Sequence, residues 1–139
     1  MKYLLGIALA ACLLVVKPVH AEESESVANA RVAATSWLAL IDAGEYGKSW
    51  GQAASLFQSA ISTSDWQSAA EGVRAPLGRL KSRTLKSAEF TRSLPGVPEG
   101  EYVVIQYESD FERKASAIET VTPLRERDGT WKVSGYYIK

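Results

Sequence analysis

The sequence predicts an α+β domain in which three N-terminal helices pack on a curved, four-stranded antiparallel sheet with a cone-like shape. Three observations lead to this prediction. Helical periodicity is confined to the first part of the chain, and residues 100–139 form successive segments with the alternation typical of strands. The dipeptide Asp128-Gly129 supplies the positive-φ residues of a tight hairpin turn, so the last two strands should pair. Helices first and a meander afterwards place the helices over one face of the sheet.

The three predicted helices cover residues 27–41, 46–61 and 64–80. In each, apolar residues recur at three- and four-residue intervals, which gives one apolar stripe. Gly44 follows the first helix at the position where a left-handed residue ends a helix. The third helix starts with a Ser-x-x-Gln capping box, and Pro76 predicts a kink or break about one turn before it.

The four predicted strands cover residues 84–94, 102–112, 115–125 and 130–138. The second strand has the clearest alternation, with Val103, Ile105 and Tyr107 on one face and Gln106 and Glu108 on the other. One face of the sheet therefore needs a cover, which the helices provide, while the outer face is polar.

Residues 1–21 have the organisation of a signal peptide, with a basic Lys2, an apolar run and small residues ending at Ala21. The apolar run is shorter than the ~20 residues of a membrane-spanning helix, so no membrane span is predicted. We expect a periplasmic or secreted protein with a disordered leader at 22–26 and a single domain at 27–139.

A second interpretation of the N-terminus starts from Leu9-Ala10-Ala11-Cys12, which resembles a bacterial lipobox. In that interpretation the protein is a lipoprotein anchored through Cys12. The apolar residues 13–16 follow where lipoproteins usually have a polar tether, so simple export is the preferred prediction.

Cleavage after Ala21 would remove Cys12 and His20, which are the only cysteine and the only histidine of the chain. Triads that depend on histidine or cysteine, and the usual zinc sites, are then excluded. The aspartates are scattered and form no calcium loop, so we expect no metal and no cofactor. The full chain has 16 basic and 16 acidic residues, and this balance argues against nucleic-acid binding.

Two groups of motifs carry a resemblance to known families. The segments Leu40-Ile41-Asp42-x-Gly44-x-Tyr46-x-x-x-Trp50 and Gly-x-Trp-Lys-Val at 129–133 resemble the cone-shaped nuclear-transport-factor-two-like domains. A secreted bacterial domain family of unknown function, numbered four-zero-one-nine, is more closely similar. Its motifs are Trp66, Arg74-x-Pro76-Leu77-Gly78, Arg83, Leu94-Pro95-Gly96, Gly100-Glu101-Tyr102, Glu119-Thr120-Val121 and Gly135-Tyr136. This resemblance implies the fold and export, and it implies no activity.

The cone superfamily includes isomerases and dehydratases that use a carboxylate base in an apolar pocket. By that resemblance Glu119, which has the strand parity of Val121, is the candidate base, and Tyr107 is the candidate donor to an oxyanion. The alternative is a structural carboxylate that pairs with Arg74 or Arg83.

Arg74 is also the first candidate for ligand binding, because a guanidinium near the predicted kink can bind a carboxylate or phosphate through two parallel hydrogen bonds. The complete candidate set for ligand binding is Arg74, Arg83, Trp66, Tyr107 and Glu119. The tryptophans at 37, 50, 66 and 131 lie on or beside apolar stripes, so we expect them in the core rather than in an aromatic cage.

Two functions follow from these residues. The first is an exported non-catalytic domain that binds a small-molecule ligand or an envelope protein, and the outer face of the sheet would also allow a homodimer. The second is a carboxylate-dependent isomerase or hydratase that uses Glu119. The two differ in one feature, since an enzyme needs Glu119 unpaired in an open cavity, whereas a binding domain allows an arginine to neutralise it.

Overall fold

The computed structural model describes residues 13–139, so Cys12 and most of the predicted signal peptide lie outside the described residues. The elements are helices α1 (Val19–Asp42), α2 (Tyr46–Gly51), α3 (Ser55–Ala60) and α4 (Thr63–Arg74), a 3-10 turn (Ala75–Leu77), and strands β1 (Leu80–Thr91), β2 (Tyr102–Phe111), β3 (Lys114–Arg125) and β4 (Trp131–Ile138). Within this range no helix combines the length and the apolar character that a membrane crossing requires.

The strands form one open antiparallel sheet in the order β1-β2-β3-β4, which confirms the predicted α+β fold with its four-stranded meander. The turn between β3 and β4 differs in detail from the prediction. Gly129 has a φ of +87°, but Asp128 does not share the left-handed conformation. Instead, an Asp128 carboxylate oxygen accepts a hydrogen bond of 2.9 Å from the backbone N–H of Thr130, which fixes the turn through a side chain.

Helix α1 supplies most of the cover over the inner face of the sheet. Its buried residues recur at helical spacing, and they pack against buried apolar residues of β2, β3 and β4. The buried residues of α1 are Ala30, Ala34, Trp37, Leu38 and Ile41. Gly44 has a φ of +73° and its N–H donates to the carbonyl of Ile41, as predicted for the helix end.

Residues 22–26 are helical in the structure, where the sequence suggested a disordered leader. Helix α1 starts at Val19 after Pro18, whose φ of −61° suits a helix start. A helix nucleated by the buried stripe extends at little cost into preceding alanines and glutamates, because propagation is cheaper than nucleation.

The predicted second helix is divided into α2 and α3. Ala54 adopts an extended conformation between them, and its N–H donates to the carbonyl of Val133 on the edge strand β4 at 2.8 Å. This tertiary hydrogen bond replaces a helical one, and a periodicity pattern does not show it.

The third predicted helix is real but shorter. Its cap is Ser62, whose hydroxyl accepts from the N–H of Asp65 at 3.2 Å, rather than Ser64. The helix ends at Arg74, which confirms the break predicted from Pro76, and the chain continues as a 3-10 turn. Residues 78–80 are therefore not helical, and Leu80 already belongs to β1.

The edge strand β1 carries two bulges. The register with β2 skips Lys81 between Leu80 and Ser82, and it skips Lys86 between Leu85 and Ser87. Both bulged residues are exposed lysines. Bulges and lysines on an edge strand hinder pairing with a further strand, so this edge is protected against strand addition.

Candidate functional site

Four charged side chains converge under the helical cover and are called here the charged cluster: Asp42, Arg74, Arg83 and Glu119. Asp42 ends α1, Arg74 ends α4, Arg83 lies on β1 and Glu119 lies on β3. The sheet register explains the meeting, since Arg83 pairs with Ser109 on β2, and Ser109 pairs with Ala117 two residues from Glu119. The cluster thus connects two helix ends to two strands, β1 and β3.

Glu119 is 0 % exposed, and both of its carboxylate oxygens accept hydrogen bonds. Oε1 accepts from Arg83 Nε at 2.7 Å and from the Ser109 hydroxyl at 2.5 Å, while Oε2 accepts from the Tyr136 hydroxyl at 2.5 Å. Burial, together with the adjacent Glu119 charge, raises the pKa of Tyr136 well above the ordinary tyrosine value. Glu119 therefore lies in a closed set of donors rather than in an open cavity.

Arg83 joins the two carboxylates. Its Nη1 and Nη2 donate to the two oxygens of Asp42 at 2.8 and 2.9 Å, in addition to its bond to Glu119. Burial acts to lower the pKa of Arg83, but the hydrogen bonds and charges of Asp42 and Glu119 outweigh burial and raise that pKa above the usual arginine value. The side chain is 15 % exposed, and each of its three nitrogens has a carboxylate acceptor.

Arg74 is paired on one nitrogen only. Its Nη2 donates to Asp42 Oδ1 at 3.0 Å, and its guanidinium carbon lies 4.7 Å from the centre of the Phe111 ring. The side chain is 5 % exposed, and within residues 13–139 neither Nε nor Nη1 has a hydrogen-bond partner. A buried donor without an acceptor costs about 1–3 kcal/mol, so these two nitrogens, with their three N–H groups, are an exception that calls for an acceptor.

The turn between β2 and β3 holds Phe111 against Arg74. The N–H of Arg113 donates to the carbonyl of Leu77 at 3.0 Å, and the N–H of Glu112 donates to the carbonyl of Arg79 at 2.9 Å. These hydrogen bonds hold the segment that follows Arg74 next to the end of β2, where Phe111 lies. The Phe111 ring is thereby kept against the Arg74 guanidinium.

The structure brings together four of the five candidate ligand-binding residues. The Tyr107 ring lies 5.9 Å from the guanidinium carbon of Arg83, and burial raises the pKa of Tyr107. Trp66 is separate, because its indole N–H donates to the Ser49 hydroxyl at 2.9 Å and its ring packs on Trp37 in the aromatic core. The buried positions of Trp37 and Trp66 confirm the prediction that these two tryptophans belong to the core.

Three members of the site were missed as site residues by the sequence reasoning: Asp42, Ser109 and Tyr136. Asp42 and Tyr136 belong to the quoted family motifs, but spacing alone does not say that they meet Arg74 and Glu119. Ser109 could have been identified from the sequence, since it is a polar residue on the same, inward-facing side of β2 as Tyr107.

A surface cleft of about 640 Å³ lies between α2 and α4, away from the charged cluster. It is lined by Gly44, Glu45, Tyr46, Gly47, Lys48, Ser64, Gln67, Ser68 and Glu71. Across residues 13–139, no three metal-binding side chains come together in a cluster.

Residues 33–136 match the model of a family described as a protein of unknown function, DUF4019. The chain belongs to this family. The match includes every residue of the charged cluster, so the cluster lies inside the DUF4019 domain. Comparison with curated proteins and with solved structures gives no match. The likeness to nuclear-transport-factor-two-like domains therefore stays a prediction.

Proposed function

We propose that this DUF4019 protein is an exported, non-catalytic domain that binds a small-molecule ligand in the cell envelope, with Arg74 as the residue that recognises it. The observation that carries the proposal is that two buried nitrogens of Arg74, Nε and Nη1, have no hydrogen-bond partner among residues 13–139. Folding a guanidinium into the interior with unpartnered donors on two nitrogens lowers stability, and an incoming acceptor would recover that loss on binding.

The position of Arg74 supports a binding role over a purely structural one. Arg83 has acceptors for Nε, Nη1 and Nη2, whereas within residues 13–139 Arg74 has an acceptor for Nη2 alone. Two arginines of the same cluster thus differ in how completely the protein satisfies them, and Arg74 is the one with two whole nitrogens left for a ligand.

The geometry of Glu119 argues against the alternative of a carboxylate-dependent isomerase or hydratase. A general base needs an oxygen within hydrogen-bond reach of the substrate proton. Three protein donors occupy three of the about four acceptor positions that a carboxylate has. With these positions occupied, Glu119 is better suited to neutralise Arg83 than to remove a proton.

Export is the second part of the proposal, and it is supported by the signal-peptide pattern at residues 1–21. Cleavage after Ala21 would leave Glu22 as the first residue, in the part of α1 that precedes its first fully buried residue, Ala30. The folded core would thus be unaffected by cleavage. Anchoring through Cys12 is the other outcome that the sequence permits.

The test is native mass spectrometry of the protein purified from the periplasmic fraction of its own bacterium. We expect a mass that begins at Glu22 together with a small-molecule adduct, and we expect Arg74→Met to lose the adduct. Arg79→Met is the matched control, because the Arg79 side chain is 92 % exposed on the adjoining segment.

Circular dichroism and urea unfolding would show that both variants are folded before their adducts are compared. A wild-type protein without any adduct, or an adduct that Arg74→Met retains, would contradict the proposed role of Arg74. The same spectra give the number of protomers, and a mass with an acylated Cys12 would replace the periplasmic assignment with a lipoprotein anchor.

A further inference from the structure

We infer that Arg74 donates its free hydrogen bonds to a neutral oxygen of the ligand, such as an amide carbonyl or a hydroxyl, rather than to a carboxylate or a phosphate. This inference rests on the proposed function and specifies the chemistry of its ligand. The inference also replaces the expectation from the sequence that Arg74 would bind an anion through two parallel hydrogen bonds.

The first argument is the charge balance of the cluster. Two arginines face two carboxylates, and each carboxylate accepts from at least one arginine. The cluster is therefore already neutral, since its two positive charges balance its two negative charges. An anion on Arg74 would be the third negative charge among two positive ones, and it would lose its hydration without a net attraction to replace it.

The second argument is the position of Asp42. Its Oδ1 accepts from Nη2 of Arg74 at 3.0 Å and from Nη2 of Arg83 at 2.9 Å, while its Oδ2 accepts from Nη1 of Arg83 at 2.8 Å. An anion bound to Nε or Nη1 of Arg74 would lie on the same small guanidinium as this carboxylate. Because Arg83 fixes Asp42 with two further bonds, the carboxylate cannot leave cheaply to make room for a second anion.

The third argument is the enclosure. The apolar ring of Phe111 lies against the guanidinium, and the side chain is 5 % exposed, so little water remains to screen like charges. A neutral carbonyl or hydroxyl oxygen satisfies an N–H group without adding charge. In these surroundings a hydrogen bond to a neutral acceptor is also stronger than it is in water.

Acetamide and acetate form a matched pair of probes, since they have nearly the same shape and differ in charge. The experiment titrates each into ¹⁵N-labelled protein and follows the Nε–H resonances of the arginine side chains. We expect the Arg74 resonance to shift and saturate with acetamide, with half-saturation on the order of 10 mM for so small a ligand. Acetate should need a concentration at least about tenfold higher.

Two variants identify the resonance. Arg74→Lys removes the Arg74 Nε–H resonance, and Phe111→Leu shifts this resonance by removing the neighbouring ring. The resonance can therefore be assigned even if one of the two variants does not fold. The Nε–H of Arg83 is the internal control, because it is already bonded to Glu119 and should not move.

Saturation by acetate at an equal or lower concentration than acetamide would overturn the inference, and so would the absence of any saturable shift. These results are distinct from those of the mass spectrometry. An anionic adduct that depends on Arg74 would keep the proposed function and overturn this inference. If the purified protein carries no adduct but binds acetamide saturably, the preference of Arg74 for a neutral oxygen is upheld and the proposal of a physiological ligand is refuted.

Discussion

Replacing Glu119 by glutamine removes one buried negative charge and nearly preserves the shape of the side chain. The charged cluster would then hold two arginines and one carboxylate, with Arg74 5 % exposed, Arg83 15 % exposed and Asp42 24 % exposed. Removing one partner of a buried ion pair costs about 3–5 kcal/mol. Arg83 keeps both bonds to Asp42 and is 15 % exposed, which places the expected loss for Glu119→Gln at about 2–4 kcal/mol.

The assay is urea unfolding followed by tryptophan fluorescence, which reports on the buried core through Trp37 and Trp66. Glu108→Gln is the matched control, because Glu108 is exposed on the strand next to Glu119 and undergoes the same chemical change. We expect the control to stay within about 0.5 kcal/mol of the wild-type protein.

A double-mutant cycle with Arg83→Met separates the ion pair from other effects of the substitution. If the cost comes from an unpaired buried charge, the two changes together should cost less than their sum, with a coupling of about 1–3 kcal/mol. Additive losses, or a Glu119→Gln protein as stable as the Glu108→Gln control, would refute the assignment of Glu119 as a structural counter-ion.

Three further predictions concern the periphery of the cluster and the sheet edge. The pKa of Tyr136 is higher in the folded protein than in the unfolded chain, so the unfolded chain loses the Tyr136 hydroxyl proton at a lower pH. The free energy of unfolding should therefore fall above about pH 10, by up to about 1.4 kcal/mol per pH unit. Tyr136→Phe should weaken that fall in urea unfolding at alkaline pH, and an unchanged slope would contradict the pKa shift. Gly78 combines a φ of 75° with a ψ of −160°, so Gly78→Ala should destabilise the protein by about 1–3 kcal/mol, whereas Gly72→Ala, inside α4 with open space around it, should be neutral or stabilising. Replacing both Lys81 and Lys86 by threonine should increase self-association through β1, measured by light scattering, and an unchanged mass would show that these lysines do not protect the edge.

Some elements of the fold were predictable because the sequence patterns that indicate them are local. The alternation in β2 and the glycine at the end of α1 each describe a few consecutive residues, and the structure agrees with both. The division of α2 from α3 was not predictable, because it depends on a hydrogen bond between Ala54 and Val133, which are far apart in sequence. The cap at Ser62 was missed because a neighbouring serine fits the capping pattern equally well.

The candidate site was predictable only in its components. The alternation along the strand correctly predicted that Glu119 points inward, and a salt bridge to Arg83 was one of the two pairings expected from the sequence. The other arginine, Arg74, binds Asp42 instead. The residues that close the site, Asp42 and Tyr136, come from the end of a helix and from the last strand, and no spacing rule connects those two positions.

The sequence by itself determined the fold class, the order of the strands and the burial of the main apolar positions, because hydrophobic periodicity and turn chemistry act over short stretches of chain. The tertiary structure alone decided which charges meet and which donors stay unsatisfied. Hydrogen bonds act over about 3 Å, so whether every nitrogen has an acceptor, as in Arg83, or one nitrogen does, as in Arg74 within residues 13–139, depends on how helix ends and strands pack. That difference, rather than the presence of either arginine in the sequence, is what makes Arg74 the candidate ligand-binding residue of this DUF4019 protein.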